Sequence, residues 1–163
     1  MKDAVSAFLL VPATQEDLAT MPPPLREGIA AGFVDGDEGV AELGAVLAQF
    51  EQVARPPQWG QFWSHDAAGG RYVGLVGFKS VPRDDEIEIA YFTFPCFEGQ
   101  GFATAAIQHL VEHARGGVKR VIAHTLPEEG SSNTALRRCG FAFAGEVVDP
   151  EDGPVWRWVR GSA

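Results

Sequence analysis

Polar and apolar residues alternate strictly from Glu86 to Tyr91, so Ile87, Ile89 and Tyr91 share one face of a predicted strand and Glu86 and Glu88 the other. Pro95 ends that ladder, because proline brings no backbone donor to it. After Gly99-Gln100-Gly101 the period changes. Phe102, Ala106, Leu110 and Ala114 recur at i+4 with Ala103, Ile107 and Val111 beside them, which predicts a helix ending at Gly116-Gly117.

The other elements follow from the same two periods. Phe8 to Val11 reads as a first strand, and Thr14-x-x-Asp17 approximates a capping box ahead of a short helix. Pro22-Pro23-Pro24 stops it, and Val40, Leu43, Val46, Leu47, Phe50 and Val53 set a second helical period over Glu38 to Ala54, closed by Pro56-Pro57. Gln58 to His65 and Arg71 to Lys79 predict a hairpin, and Pro82 to Asp85 turns the chain into the alternating strand. Strands over Lys119 to Thr125, Phe141 to Val148 and Val155 to Arg160, with a short helix over Ser131 to Cys139, complete the chain. There are no repeats and no low-complexity tract, and 163 residues suit one domain.

Charge narrows the partners. Thirteen Lys and Arg (13) against 22 Asp and Glu give −9 at pH 7, which argues against a nucleic-acid backbone and favours a cationic co-substrate. Two cysteines suggest no disulfide framework, no apolar run reaches membrane-spanning length, and the N-terminus lacks the plan of a signal peptide, so a reduced cytoplasmic protein is expected. No segment declares an oligomer interface, and a homodimer stays open.

A strand, a glycine turn and a helix start make an anion site, since residues without side chains let backbone N–H groups approach a phosphate that the helix dipole also favours. The spacing excludes two such sites. Thr104 stands where a dinucleotide fingerprint needs its third glycine, and no Gly-Lys-Ser/Thr of a Walker loop is present. A pyrophosphate cradle over Gly99 to Thr104 remains.

The stretches PCFEGQGFATAAIQHLVEHA and HTLPEEGSSNTALRRCGFAFAGE resemble the acetyl-CoA-binding core of the GNAT superfamily of N-acetyltransferases, in its RimJ/RimL-like branch. The resemblance covers about Tyr72 to Trp158, with LVPATQEDL a fainter echo of the first strand and helix. It implies a single α+β (α/β/α) domain over 1–163, with a mixed central sheet of about six to seven strands flanked by helices. Residues 72–158 would be the acetyl-CoA-binding core, and 1–57, rich in acidic residues, a variable part serving as acceptor lid. It implies acetyl-CoA as co-substrate, no metal, and as acceptor a primary amine of a small molecule or a protein. The alternative is a non-catalytic acyl-CoA-sensing module on the same fold.

The resemblance assigns the pyrophosphate to Glu98, Gly99, Gln100, Gly101, Phe102, Ala103 and Thr104, and the pantetheine arm to Phe92, Thr93 and Phe94. Backbone N–H groups near Phe92 to Phe94 are candidate oxyanion donors. Three departures stand out: Glu98 occupies a place where the family usually has Arg or Gln, Glu129 and Gly130 stand where many members carry an Asn, and Leu136 lies near the usual proton-donating Tyr. Ser132 is the branch's substitute for that Tyr as proton donor to the departing thiolate, although an N-cap hydroxyl explains a serine there equally well. Glu88 is the candidate base, because an alkylammonium with a pKa near 10.4 must lose a proton before it attacks.

His109-Leu110-Val111-Glu112-His113 matches the inverted zinc motif in letters, but its histidines fall on the helix's polar face, where solvated residues belong. Cys96 and Cys139 read as small buried hydrophobes. Trp59, Trp63, Trp156 and Trp158 read as structure.

Overall fold

A computed structural model describes residues 8–12, 59–66, 71–94 and 97–161. The capping box, the helix over Glu38 to Ala54 and the lid they would form lie outside those residues. The described elements are β1 (Phe8–Pro12), β2 (Gln61–Asp66), β3 (Arg71–Phe78), β4 (Glu86–Thr93), α1 (Phe102–Ala114), β5 (Arg120–Thr125), α2 (Ser131–Arg138), β6 (Ala142–Asp149) and β7 (Gly153–Gly161). The strands form one sheet of seven in the order β1-β2-β3-β4-β5-β7-β6. Only the β4/β5 pair is parallel; the other neighbours are antiparallel.

The alternation read from β4 sets the two faces. Ile87 and Ile89 are 1% and 2% exposed, and register carries their face across to Val121, Ala123 and Trp158, all buried. Both described helices lie on that face. His113 of α1 meets Phe78, the β3 partner of Ile89, and Arg137 of α2 lies 5.1 Å over the Trp158 ring. α1 buries Phe102, Ala105, Ala106, Ile107, Leu110, Val111 and Ala114, close to the sequence reading except that Ala103 is left half-exposed and Ala105 is buried in its place. Each large apolar side chain so buried contributes roughly 1.5–3 kcal/mol. Gly116 takes the left-handed conformation past the helix end (φ 85°), whereas Gly117 is small because a Cβ there would lie 2.9 Å from the Trp59 indole.

The opposite face carries Glu86, Glu88, Arg120, Ile122, His124 and Arg157 by the same register. Beyond Ile122 the two parallel strands have no paired residues: their register runs Glu86–Arg120, Ile87–Val121, Glu88–Ile122 and stops there. From Ile89 onward β4 is therefore bonded on its β3 side alone, and the sheet opens into a wedge.

Candidate active site

The wedge holds two cavities. One, of about 390 Å³, is lined by Phe92, Thr93, Glu98, Gly99, Gly101, Phe102, Ala103 and Thr104, with Arg138 from α2. The other, of about 410 Å³, is lined by Glu88, His124, Lys79, Glu128 and Glu129. Tyr91, Ser131 and Ser132 line both, so these three residues form the waist where the cavities meet.

On the first side the sequence builds a helix start with no side-chain cap. Gly101 is the N-cap at φ 87°, and its carbonyl takes the first helical bond from Ala105 N–H at 3.0 Å. The N–H groups of Phe102, Ala103 and Thr104 precede that bond and have no helical carbonyl to reach. Gly99 is likewise left-handed at φ 78°, and a Cβ built on either glycine meets no protein atom within 4 Å.

Two residues predicted here do not line the cavity. Gln100 is exposed at the turn, and Phe94 is fully buried. Phe94 N–H donates to Val73 carbonyl at 2.8 Å, and Glu88 carbonyl accepts from Lys79 N–H at 2.9 Å. Even-numbered residues of β4 thus direct their backbone groups to β3, and the N–H groups of Ile89, Tyr91 and Thr93 face the wedge. Of the backbone N–H groups near Phe92 to Phe94, only that of Thr93, with that of Tyr91 just before it, is therefore turned toward the wedge.

On the second side Glu88 is not alone. His124 Nδ1 lies 2.9 Å and Lys79 Nζ 3.2 Å from the same oxygen, Glu88 Oε2. The carboxylate and the imidazole are 19% and 16% exposed, so the pair is half-shielded yet open to the cavity. The rim is acidic. Glu129 is held by a two-pronged bond from Arg137 at 3.0 and 3.1 Å, and buried Asn133 donates to the Glu128 carbonyl at 2.8 Å, which fixes the loop between β5 and α2. His124, Lys79, Asn133 and Arg138 were all missed by sequence reasoning.

Ser132 does not cap α2. Gly130 is the N-cap, without a side-chain bond, and Ser132 lies in the first turn facing the waist. Beside it the Tyr91 hydroxyl is buried without a well-formed hydrogen bond. Burial pushes the Tyr91 pKa up to about 12, and the neighbouring Ser132 hydroxyl works against that rise.

Next to Glu88 on the same face, Glu86 accepts from Arg120 Nε at 2.9 Å and from Arg157 Nη2 at 3.0 and 3.2 Å. Its carboxyl is held below the ordinary 4.5, chiefly by the Arg120 hydrogen bond; burial opposes this and Arg157 adds to it. The folded form therefore binds fewer protons than the unfolded one, and the network's stability is complete above about pH 4.5 and lost as pH falls through the folded value. Glu86→Gln should lower Tm near neutrality by about 2–4 °C, about 1 kcal/mol for a partly exposed network in a domain of this size. The difference from the wild type should shrink as the pH falls below 4.5 and vanish once it has passed the lowered folded value. A difference independent of pH would contradict this account.

The histidines of the apparent zinc motif are occupied otherwise. His109 lies against Phe8 at 5.1 Å and His113 against Phe62 at 5.2 Å, and burial lowers the His109 pKa. His109 is half-buried at the rim of the helix–sheet contact, while His113 is exposed, as its place on the polar face predicted. Among the described residues, no group of three or more His, Cys, Asp or Glu is arranged to hold a metal ion, and no helix is long and apolar enough to cross a membrane.

Comparison with known proteins agrees with this layout. The sequence profile of the acetyltransferase (GNAT) domain matches residues 8–142. No curated protein matches the sequence. Solved structures with the same fold include the ribosomal L7/L12 alpha-N-protein acetyltransferase RimL in complex with coenzyme A, at TM-score 0.69 and 17% identity over 96% of this chain and 94% of that one. RimJ of Mycobacterium smegmatis in complex with CoA-disulfide superposes at TM-score 0.68 with 19% identity, covering 94% and 81%. A spermidine N-acetyltransferase chimera of Vibrio cholerae SpeG and hSSAT gives 0.65 and 18%, covering 96% of each chain.

Proposed function

The chain belongs to the acetyltransferase (GNAT) domain family, and from that premise we propose that it moves an acetyl group from acetyl-CoA to a cationic primary amine by direct transfer. The observation that carries the reading is the meeting of two unlike cavities at one waist, a phosphate-type cradle on one side and a shielded carboxylate–imidazole pair on the other. RimL and RimJ bind coenzyme A or its disulfide, and the SpeG chimera is a spermidine N-acetyltransferase, which supports the class of donor and acceptor.

In this reading the free N–H groups of Phe102 to Thr104 and the side-chain-free turn Gly99 to Gly101 bind the pyrophosphate. The wedge-facing edge of β4 pairs with the pantetheine arm as an added strand and places the thioester at Tyr91 and Ser132. The acceptor enters from the second cavity, its ammonium drawn by Glu88 and by the acidic rim at Glu128. Glu88 fixes His124 with Nδ1–H donating, so Nε2 is left to accept the substrate proton. The amine nitrogen then bonds to the carbonyl carbon, and the oxyanion takes hydrogen bonds from backbone N–H groups of Tyr91 or Thr93. As the C–S bond breaks, the thiolate takes a proton from the Ser132 hydroxyl or, since its solution pKa is near 8.5, from water.

The test is a panel of polyamines, amino acids, aminoglycosides and peptides incubated with the protein and acetyl-CoA. At least one amine should gain an acetyl group with equimolar release of free thiol. Binding of acetyl-CoA with no amine acetylated would overturn the catalytic reading in favour of an acyl-CoA-sensing module.

A further inference from the structure

The second cavity already contains a primary amine, and it belongs to the chain. Lys79 directly follows β3, and its N–H donates to the Glu88 carbonyl at 2.9 Å, so the two residues stand opposite each other on one face of the sheet. Its Nζ lies 3.2 Å from Glu88 Oε2, the same oxygen that His124 Nδ1 meets at 2.9 Å. An outside amine drawn to Glu88 would find the place of its ammonium taken.

Little holds this side chain rigid. It is 44% exposed, and the long flexible stem of a lysine lets its nitrogen swing within the space available. That space extends to Tyr91 and Ser132, which line the same cavity as Lys79 and mark the waist. The chain has three lysines, Lys2, Lys79 and Lys119. Lys119 offers a built-in comparison: it too is paired, with Asp85 at 3.7 Å, but it is 76% exposed and lines neither cavity of the wedge.

We propose that Lys79 is a self-acetylation site, modified at Nζ from acetyl-CoA bound to the same molecule when no outside amine fills the second cavity. The proposal rests on the acetyl-transfer reading above. The ammonium gives one proton to His124 Nε2, the freed lone pair bonds to the thioester carbonyl carbon, and the C–S bond breaks. The nitrogen sheds a second proton as the amide forms. One of the two protons ends on the thiolate and the other in the solvent. The product is neutral, so its ion pair with Glu88 is lost and that carboxylate is left to His124 alone.

The experiment incubates the wild type with acetyl-CoA and no added amine, and maps acetyl groups over time by peptide mass spectrometry. Lys79 should be modified at least about tenfold faster than Lys119, because its nitrogen is held beside both base and donor. Chemical reaction with acetyl-CoA free in solution would favour the more exposed Lys119 instead. At saturating coenzyme the rate per molecule should be unchanged on diluting the protein, as a transfer within one molecule requires. His124→Asn should slow modification of Lys79 by about 10²-fold and leave Lys119 unaffected. An excess of any amine that the protein accepts should protect Lys79. Modification of Lys79 no faster than of Lys119, a rate indifferent to His124→Asn, or a rate that falls on dilution would overturn the assignment. So would acetylation of an amine from the panel with Lys79 left unmodified in its absence. If acetyl-CoA binds and neither Lys79 nor any amine is acetylated, the acetyl-transfer reading itself fails, and this inference with it.

Discussion

Glu88→Gln should lower kcat/KM for the amine by about 10²–10³-fold while leaving the affinity for acetyl-CoA unchanged, since general-base assistance is worth about 10²–10⁴-fold. The amide keeps the shape of the side chain but no longer carries the charge that holds His124 Nδ1 at 2.9 Å and balances Lys79 at 3.2 Å. His124→Asn should cost a similar factor, because it removes the other half of the same device. The double variant should then be little worse than either single one, as groups that act as a unit show non-additive losses. The check is steady-state kinetics on all three variants with the amine found in the panel. Additive losses would mean that the two side chains serve separate steps, and losses under threefold in both would remove them from the chemistry.

Gly101→Ala should weaken acetyl-CoA binding by at least about tenfold. Two effects add. The left-handed φ of 87° strains a residue with a Cβ, by about 1–2 kcal/mol, and the methyl group projects toward the space given to the pyrophosphate. Because no protein atom lies within 4 Å of that Cβ, the change creates no internal clash. Gly116→Ala is the matched control, with φ 85°, equally open surroundings and a place at the far end of the same helix. Both variants should lose similar thermal stability, about 2–8 °C for 1–2 kcal/mol, and only Gly101→Ala should lose the coenzyme. Equal affinities in the two would show that the cradle is not where the coenzyme binds.

What the sequence made legible was local. The alternation over Glu86 to Tyr91, the helical period from Phe102 and the turn at Gly99 to Gly101 each lie within a few residues, so the pattern itself carries them to the correct strand, helix and uncapped helix start. The assignment to the GNAT fold rested on such local stretches, and the seven-stranded mixed sheet agrees with it. What was not legible depends on register between distant segments. Glu88 and His124 meet only because the α1 crossover returns β5 parallel to β4 with Glu88 opposite Ile122, which places His124 one step further along the same face. The early end of that pairing, which opens the wedge, leaves no mark on the pattern of either strand.

The same holds for Lys79. It is an ordinary charged residue just past the end of a strand, and only the register of β3 on β4 sets its ammonium against Glu88. Phe94, a core or wall residue by its place next to the pantetheine strand, shows the same dependence on register. Strand geometry turns its N–H to Val73 and its ring into the core. Sequence placed Ser132 in the short helix, and Gly130 taking the N-cap sets aside the capping reading of its hydroxyl.

If acetyl-CoA fills the first cavity, a thermal-shift titration of the wild type with acetyl-CoA, in the presence of a chelator, will register it. At about 100 times its Kd the ligand adds roughly 2.7 kcal/mol, which predicts a rise in Tm of about 5–10 °C for a domain of this size. No rise at millimolar acetyl-CoA would contradict the account and leave the wedge without its ligand.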